Sequence, residues 1–286
     1  MPDTTSEADL RKEFVDGAVK AVALMEYKLK TLCQIDSSSA WTESYYRETN
    51  TELTGGTGSA VKGIPRFAAF PYGEASWTKV SAIIEKYGME GVVSYEDQKT
   101  DNVPVISRTI LRIGRAVAYA IDVQIEAVMA ASYGNTLALT AGYEWDASTI
   151  ANRDPVKDIL TAMQTLRADN IDPLNNGYLV VNGTDYTNII SNSKVVNNPS
   201  FKTADVVSNG IVGQLCGLQI MVTEAVSADN AYIVISKEAM TWKEAQPLTI
   251  IQIEDPGIKT TIRAYEMGVT KVTTPNAICK ITNTRA

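Results

Sequence analysis

Between Pro104 and Gly134 the chain reads VISRTILRIGRAVAYAIDVQIEAVMAASY. Ile106, Ile110, Ile113, Val117, Ile121 and Val128 recur at helical spacing, interrupted only by Gln124, and Gly134 supplies a stop. The spacing predicts one helix over 105–132. At about 1.5 Å per residue it would run about 40 Å, more than the width of a small domain. Everything else must therefore be arranged along it, as along a spine. A second stripe on the same helix carries Arg108, Arg112, Arg115, Tyr119, Asp122 and Glu126. Its bases lie toward the N-terminal end and its acids toward the C-terminal end, the reverse of what the helix dipole favours. A solvated face is one reading. The other is that these charges are committed to partners, on neighbouring subunits, which makes Arg108, Arg112 and Arg115 candidate interface residues.

Other elements are mixed. Residues 7–32 carry an apolar helical stripe through Leu10, Phe14, Val15, Ala18, Val22, Met25, Leu29 and Leu32. A β-prone stretch from Trp41 then leads to a tip with Gly55, Gly56, Gly58 and Gly63, and IPRFAAFPYG returns as a second extended segment. This reads as a hairpin over 41–73 with too few large apolar residues for a core of its own, hence a projecting arm ordered by a neighbour. Asp154 and Pro155 open a helix whose apolar face is Val156, Ile159, Leu160, Met163 and Leu166. A strand at Tyr178–Val181, a short helix after the NGTD turn, a strand in NAYIVI and strand-rich sequence from Leu248 follow. With no regular βαβ repeat, the class is α+β.

Several functions are excluded or disfavoured. The chain has no histidine, which removes Ser-His-Asp and Cys-His nucleophile systems and the HExxH zinc motif. The expectation is a protein that is not an enzyme, with no cofactor and no metal. A net charge of -7 argues against a non-specific nucleic-acid grip. Cys33, Cys216 and Cys279 read as unlinked residues in a reducing compartment. The polar N-terminus lacks the look of a signal peptide, and no run is long and apolar enough for a membrane span.

Residues 209–226, NGIVGQLCGLQIMVTEAV, place Gly210, Gly213 and Gly217 ahead of an apolar run. A P-loop would need a Lys and a hydroxyl after the glycines, and a dinucleotide fingerprint would need a helix after them. Neither is present, so the expectation is a tight turn into a buried strand. Glu254–Asp255 and Glu96–Asp97 read as solvated loop charge, and Asn182-Gly183-Thr184 as a turn.

The order of these elements resembles the major capsid proteins of tailed phages, with the fold named after phage Hong Kong 97. VVSYEDQKTDNVPVISRTILRIGRAVAYAIDVQIEAVM is similar to that family's strand end, turn and spine helix, NNGYLVVNGTDYTNII to its strand–turn–helix, and GIVGQLCGLQIMVTEAV to its glycine-rich turn into a strand. The resemblance, over about residues 40–285, implies an N-terminal arm (1–40), an extended loop (41–73), a peripheral domain with the spine (74–139), an axial domain (140–270) and a C-terminal strand returning toward the peripheral domain (271–286). It implies self-assembly into an icosahedral virion shell of hexamers and pentamers. That shell encloses double-stranded DNA without sequence-specific binding, after synthesis in a host cytoplasm. Without a fused scaffolding segment, assembly would use a separate scaffolding protein, together with a portal. The loop residues Gly55, Gly56, Gly58 and Lys62 join the candidate interface on this resemblance. The rival readings are an encapsulin-type cage storing a cargo enzyme and a histidine-free carboxylate hydrolase.

Overall fold

A computed structural model describes residues 18–21, 23, 26–48, 66–68, 77–100, 105–196 and 213–286. The first complete elements are a short helix α1 (Leu29–Leu32) and strands β1 (Gln34–Ser37), β2 (Thr42–Glu48), β3 (Trp77–Ile83) and β4 (Glu85–Ser94). A short helix α2 (Tyr95–Thr100) precedes the spine, α3 (Val105–Ala131), and β5 (Asn135–Ala138) follows it. Then come α4 (Pro155–Ala168), β6 (Gly177–Val181), α5 (Gly183–Ser191), α6 (Ser193–Val196), β7 (Gln214–Leu215) and β8 (Leu218–Val222). The chain finishes with β9 (Asn230–Ile235), β10 (Met240–Asp255), β11 (Lys259–Val272) and β12 (Ile278–Thr282).

Two sheets flank the spine. One has the order β1-β10-β11-β4, and its long β10–β11 hairpin pairs with β4 from Lys259↔Ser94 to Gly268↔Glu85. Ile262 and Ala264 of β11 are buried in the same core as Ile110, Ile113, Val117 and Ile121 of the spine. Helix and sheet approach so closely at Gly91 that a Cβ there would meet Ile113 Cδ1 at 2.8 Å. The second sheet has the order β5-β12-β9-β6-β8-β7. In β9, Tyr232 and Val234 belong to the spine core, whereas Ala231 and Ile233 belong to a second core with Ile159, Met163 and Leu166 of α4. Both faces of β9 are covered. That is why NAYIVI reads as a continuous apolar run and not as an alternation.

The sheets divide the chain differently from the expected domain boundaries. Residues 240–272, expected in the axial domain, pair with β4 and pack on the spine. The C-terminal strand β12, expected to return toward the spine's domain, completes the six-stranded sheet beside β5 and β9. Ile278, Cys279 and Ile281 are fully buried there, so apolar burial decides the placement. The extended hairpin also differs. Its described strands are Thr42–Glu48 and Trp77–Ile83, paired from Thr42↔Ile83 to Glu48↔Trp77, so a described second strand lies beyond the expected end at residue 73; of IPRFAAFPYG only 66–68 are among the described residues. Arg66 and Phe67 of that stretch form a turn. Gly55, Gly56, Gly58, Lys62 and Gly63 lie outside the described residues, as do all of 1–17, Val22 and Met25 of the expected arm and Gly210.

Local readings fare well elsewhere. Asp154 caps α4 by accepting from Lys157 N, with Pro155 at the first helical position. Leu160, assigned to the apolar face of that helix, is instead exposed. Cys216 and Gly217 take positive φ angles of 53° and 85° in the turn joining β7 to β8, where Leu215 pairs with Leu218. The pair of left-handed residues forms a two-residue hairpin turn, a conformation that favours glycine at the second position. The described part, GQLCG from Gly213, thus makes a backbone turn into the next strand, of which only Leu218 is buried.

Candidate assembly surface

The second stripe of the spine lies in two environments. Asp122 and Glu126 are 2% and 6% exposed, and their partners are in the same subunit. Asp122 accepts from Lys28 N at 2.8 Å and Lys30 N at 3.1 Å, which satisfies free amides at the start of α1. Glu126 accepts from Tyr232 Oη at 3.0 Å and Ser227 Oγ at 3.1 Å. The expectation that these acids reach neighbouring subunits is therefore corrected: they are committed to partners, but to the arm and to the six-stranded layer. Burial of the polar groups explains why the unfavourable dipole placement is tolerated, since each acid fills an amide or hydroxyl that would otherwise be orphaned.

Arg108, Arg112 and Arg115 stand on the uncovered half of the same face, and all three are exposed. Arg115 pairs with Glu26 of the arm at 2.8 Å, in a contact open to solvent on both sides. Arg108 and Arg112 have no ion-pair partner among the described residues. Around them Leu111, Tyr119 and Val123 are also exposed, Tyr119 by 54%. A cleft of about 200 Å³ opens beside Tyr119, lined also by Glu26, Lys28, Arg115, Asp122 and Glu224.

The arm is locked by a buried ionic cluster that sequence reasoning missed. Lys30, 8% exposed, bonds its ammonium to the fully buried Glu266 and to Glu244, and lies over the rings of Tyr27 and Trp242. Tyr27 Oη donates to Glu266 Oε2 at 2.6 Å. Burial, then the Glu266 carboxylate, pushes the Tyr27 hydroxyl well above the ordinary tyrosine range. The members are 239 positions apart at the widest, so no local motif could announce them.

Burial raises Asp122 above its ordinary carboxylate value, against the backbone amides of Lys28, Lys30 and Leu29, which pull it down. The folded chain then holds this proton more tightly than the unfolded one, so Asp122 adds stability as pH falls through the raised value and loses it as pH rises. The stability difference between the natural chain and an Asp122→Asn variant is expected to move in favour of the natural chain as pH drops from 7 toward 4. Urea midpoints across that range test it. A gap that closes on acidification would contradict the assignment.

The remaining candidates do not converge. Glu96 and Asp97 sit exposed at the start of α2, and Glu254 and Asp255 sit exposed at the β10–β11 turn. Asn182 caps α5, its Oδ1 accepting from Thr184 N at 3.1 Å, and so belongs to a structural turn. Among the described residues no group of His, Cys, Asp and Glu could hold a metal ion. No described helix is long and apolar enough to cross a membrane. Cys33, Cys216 and Cys279 are free thiols, and burial pushes Cys33 up to about 12. Denaturing gels with and without reductant are expected to give one identical monomer band. A disulfide-linked species would count against it.

Solved structures share this architecture. The capsid of cyanophage P-SCSP1u superimposes with a TM-score of 0.66 at 15% identity, covering 90% of this chain and 88% of that one. The mature capsid of bacteriophage PhiM1 gives 0.64 at 13%, covering 91% and 88%. A virus-like particle from Pyrococcus furiosus gives 0.63 at 11%, covering 94% and 98%. At these identities the likeness establishes the fold. Curated protein sequences give no significant match. The family model for phage capsid protein matches residues 77–281, a span that takes in β3, the spine and both large sheets except β1 and the last residue of β12. With the α+β capsid fold and the family pattern both running through the spine and the two sheets, the chain belongs to the phage capsid protein family, as a shell-forming subunit of the virion.

Proposed function

We propose that this chain is the major capsid protein of a tailed virus, forming hexamers and pentamers of an icosahedral shell around double-stranded DNA. The family match across residues 77–281 carries the reading. The two-layer build agrees with it, because a rigid spine joining two sheets suits a tile that must hold its shape while its neighbours differ. Closed shells place one chain in slightly different surroundings, and a stiff subunit with adaptable contacts meets that demand. A net charge of -7 favours a weakly repulsive lining on which packed DNA can slide, without sequence-specific binding. A separate scaffolding protein and a portal would complete assembly, in the host cytoplasm. The chain is not an enzyme in this reading; its lack of histidine supports that.

The likeness to the Pyrococcus furiosus particle favours one second reading, a cage of the encapsulin type that stores a cargo enzyme. Electron microscopy of particles purified from the natural source separates the two. Particles filled with double-stranded DNA are expected. Closed shells holding a protein cargo would overturn the viral reading, and a monomer that never assembles would overturn both.

The stripe offers a further check. An Arg108→Ala, Arg112→Ala variant is expected to keep its unfolding curve, because exposed charges without partners add little to folding. Its shell yield is expected to fall. An unchanged yield would return both residues to a solvated face.

A further inference from the structure

We infer that Arg47 is a clasp that fixes the β2–β3 hairpin to the spine of its own subunit before any neighbour arrives, and that this pre-setting speeds assembly; the second part rests on the self-assembly reading above. The hairpin needs an anchor. Its sheet has only two strands of seven residues each, and a two-stranded ribbon alone is marginally stable in water. Burial along it is one-sided. Glu43, Tyr45 and Arg47 of β2 are half-buried, as are Val80 and Ala82, which stand opposite Tyr45 and Glu43 on β3. Ser44, Tyr46, Lys79 and Ser81, on the other face, are exposed. The described strands thus lie with one face against their own subunit.

That face meets the end of the spine and β11. Arg47 Nη2 donates to Ser132 Oγ at 3.3 Å and to Tyr45 Oη at 3.2 Å. Ser132 is the first residue past α3, and its own N–H bonds to Met129 O, which holds the hydroxyl at the last turn. The spine has no basic residue in that turn. The guanidinium therefore supplies, from another element, the positive charge that a helix C-terminus favours. Tyr45 is held from a second side of the subunit: Lys271 Nζ of β11 lies 5.5 Å from its ring centroid, and Arg47 Cζ lies 5.9 Å from it. Arg47 Nε is buried with no acceptor among the described residues, so the hold rests on Nη2 and on charge. Such a clasp matters for association because ordering a loop at an interface opposes binding. A hairpin already set in one direction loses less freedom when a neighbour takes it up.

The test has two arms, and the first is hydrogen exchange on the unassembled full-length chain. In Arg47→Ala the amides of residues 42–48 and 77–83 are expected to exchange about tenfold faster, the usual weight of one hydrogen bond from a charged group, while the spine and the six-stranded layer keep their protection. Ser132→Ala is expected to loosen the same two segments. Adding it to Arg47→Ala is expected to change little more, since both act through one bond. Unchanged exchange in Arg47→Ala, independent additive losses in the double variant, or protection lost across the whole subunit would overturn the clasp. In the second arm, light scattering follows particle formation by the natural chain and by Arg47→Ala at equal concentration. The initial rate is expected to fall about threefold or more in the variant. Equal rates would overturn the role in assembly. Failure of the natural chain itself to form particles would count against the self-assembly reading and not against the clasp, which the exchange data decide.

Discussion

Replacing Lys30 with alanine is expected to destabilise the subunit by about 3–5 kcal/mol, the usual cost of removing one partner from a buried ion pair. Glu266 is fully buried, and in the variant it would keep only the Tyr27 hydroxyl as a strong donor. Glu244 would lose the same ammonium, but at 24% exposure it can turn toward water. The damage should be specific to charge. A Lys30→Met, Glu266→Gln double variant removes both charges while keeping most of the volume, and is expected to recover a large part of the loss. Urea unfolding of the two variants beside the natural chain measures this. Equal losses in both would mean that packing around Trp242, not the ion pair, holds the arm.

Lys30 also shows where the sequence stops being legible. The spine could be read because its signal is local and repeated along one face of 27 residues. Asp154 before Pro155 could be read for the same reason, since a cap and its helix are neighbours in sequence. Lys30 could not. Its apolar neighbours in the arm mark a buried helix face, and nothing nearby says that Glu266 waits on a strand more than two hundred residues later.

Asp122 and Glu126 teach a related lesson. They lie at the same helical angle as Arg108, and periodicity assigns the whole stripe to one environment. The arm and β9 cover only its C-terminal half. Periodicity finds a face; it does not find how far along the helix that face is covered. The misplaced domain boundary has a similar origin. β10–β11 and β12 all read as strand sequence, and only the registers Lys259↔Ser94 and Cys279↔Asn135 sort them into different sheets. The candidate interface was legible in part. The exposed arginines were identified, whereas their separation from the buried acids needed the fold.

Arg285→Ala is the second change expected to do large harm, this time in the six-stranded layer. Arg285 donates Nε to Asp185 Oδ1 at 3.1 Å and Nη2 to Asn182 Oδ1 at 3.0 Å. Asp185 is fully buried in the first turn of α5, and its other oxygen accepts from Thr284 at 3.1 Å. Burial raises this carboxyl above its ordinary value, and the Arg285 guanidinium is the main force pulling it back. Removing the guanidinium therefore leaves a buried carboxylate with one hydroxyl. Because the arginine is 23% exposed, the loss should lie near the lower end of the usual range, about 3 kcal/mol. It should also depend on pH in a recognisable way. Without Arg285 the carboxyl is raised further, so the folded variant favours the protonated form, and the deficit should shrink as pH falls through that value. An Asp185→Asn change made in the Arg285→Ala background should remove the pH dependence and recover part of the stability. The three chains compared by urea unfolding between pH 4 and 7 decide the matter. A deficit that stays constant across that range would show that Arg285 acts through packing of the C-terminal residues and not through the charge of Asp185.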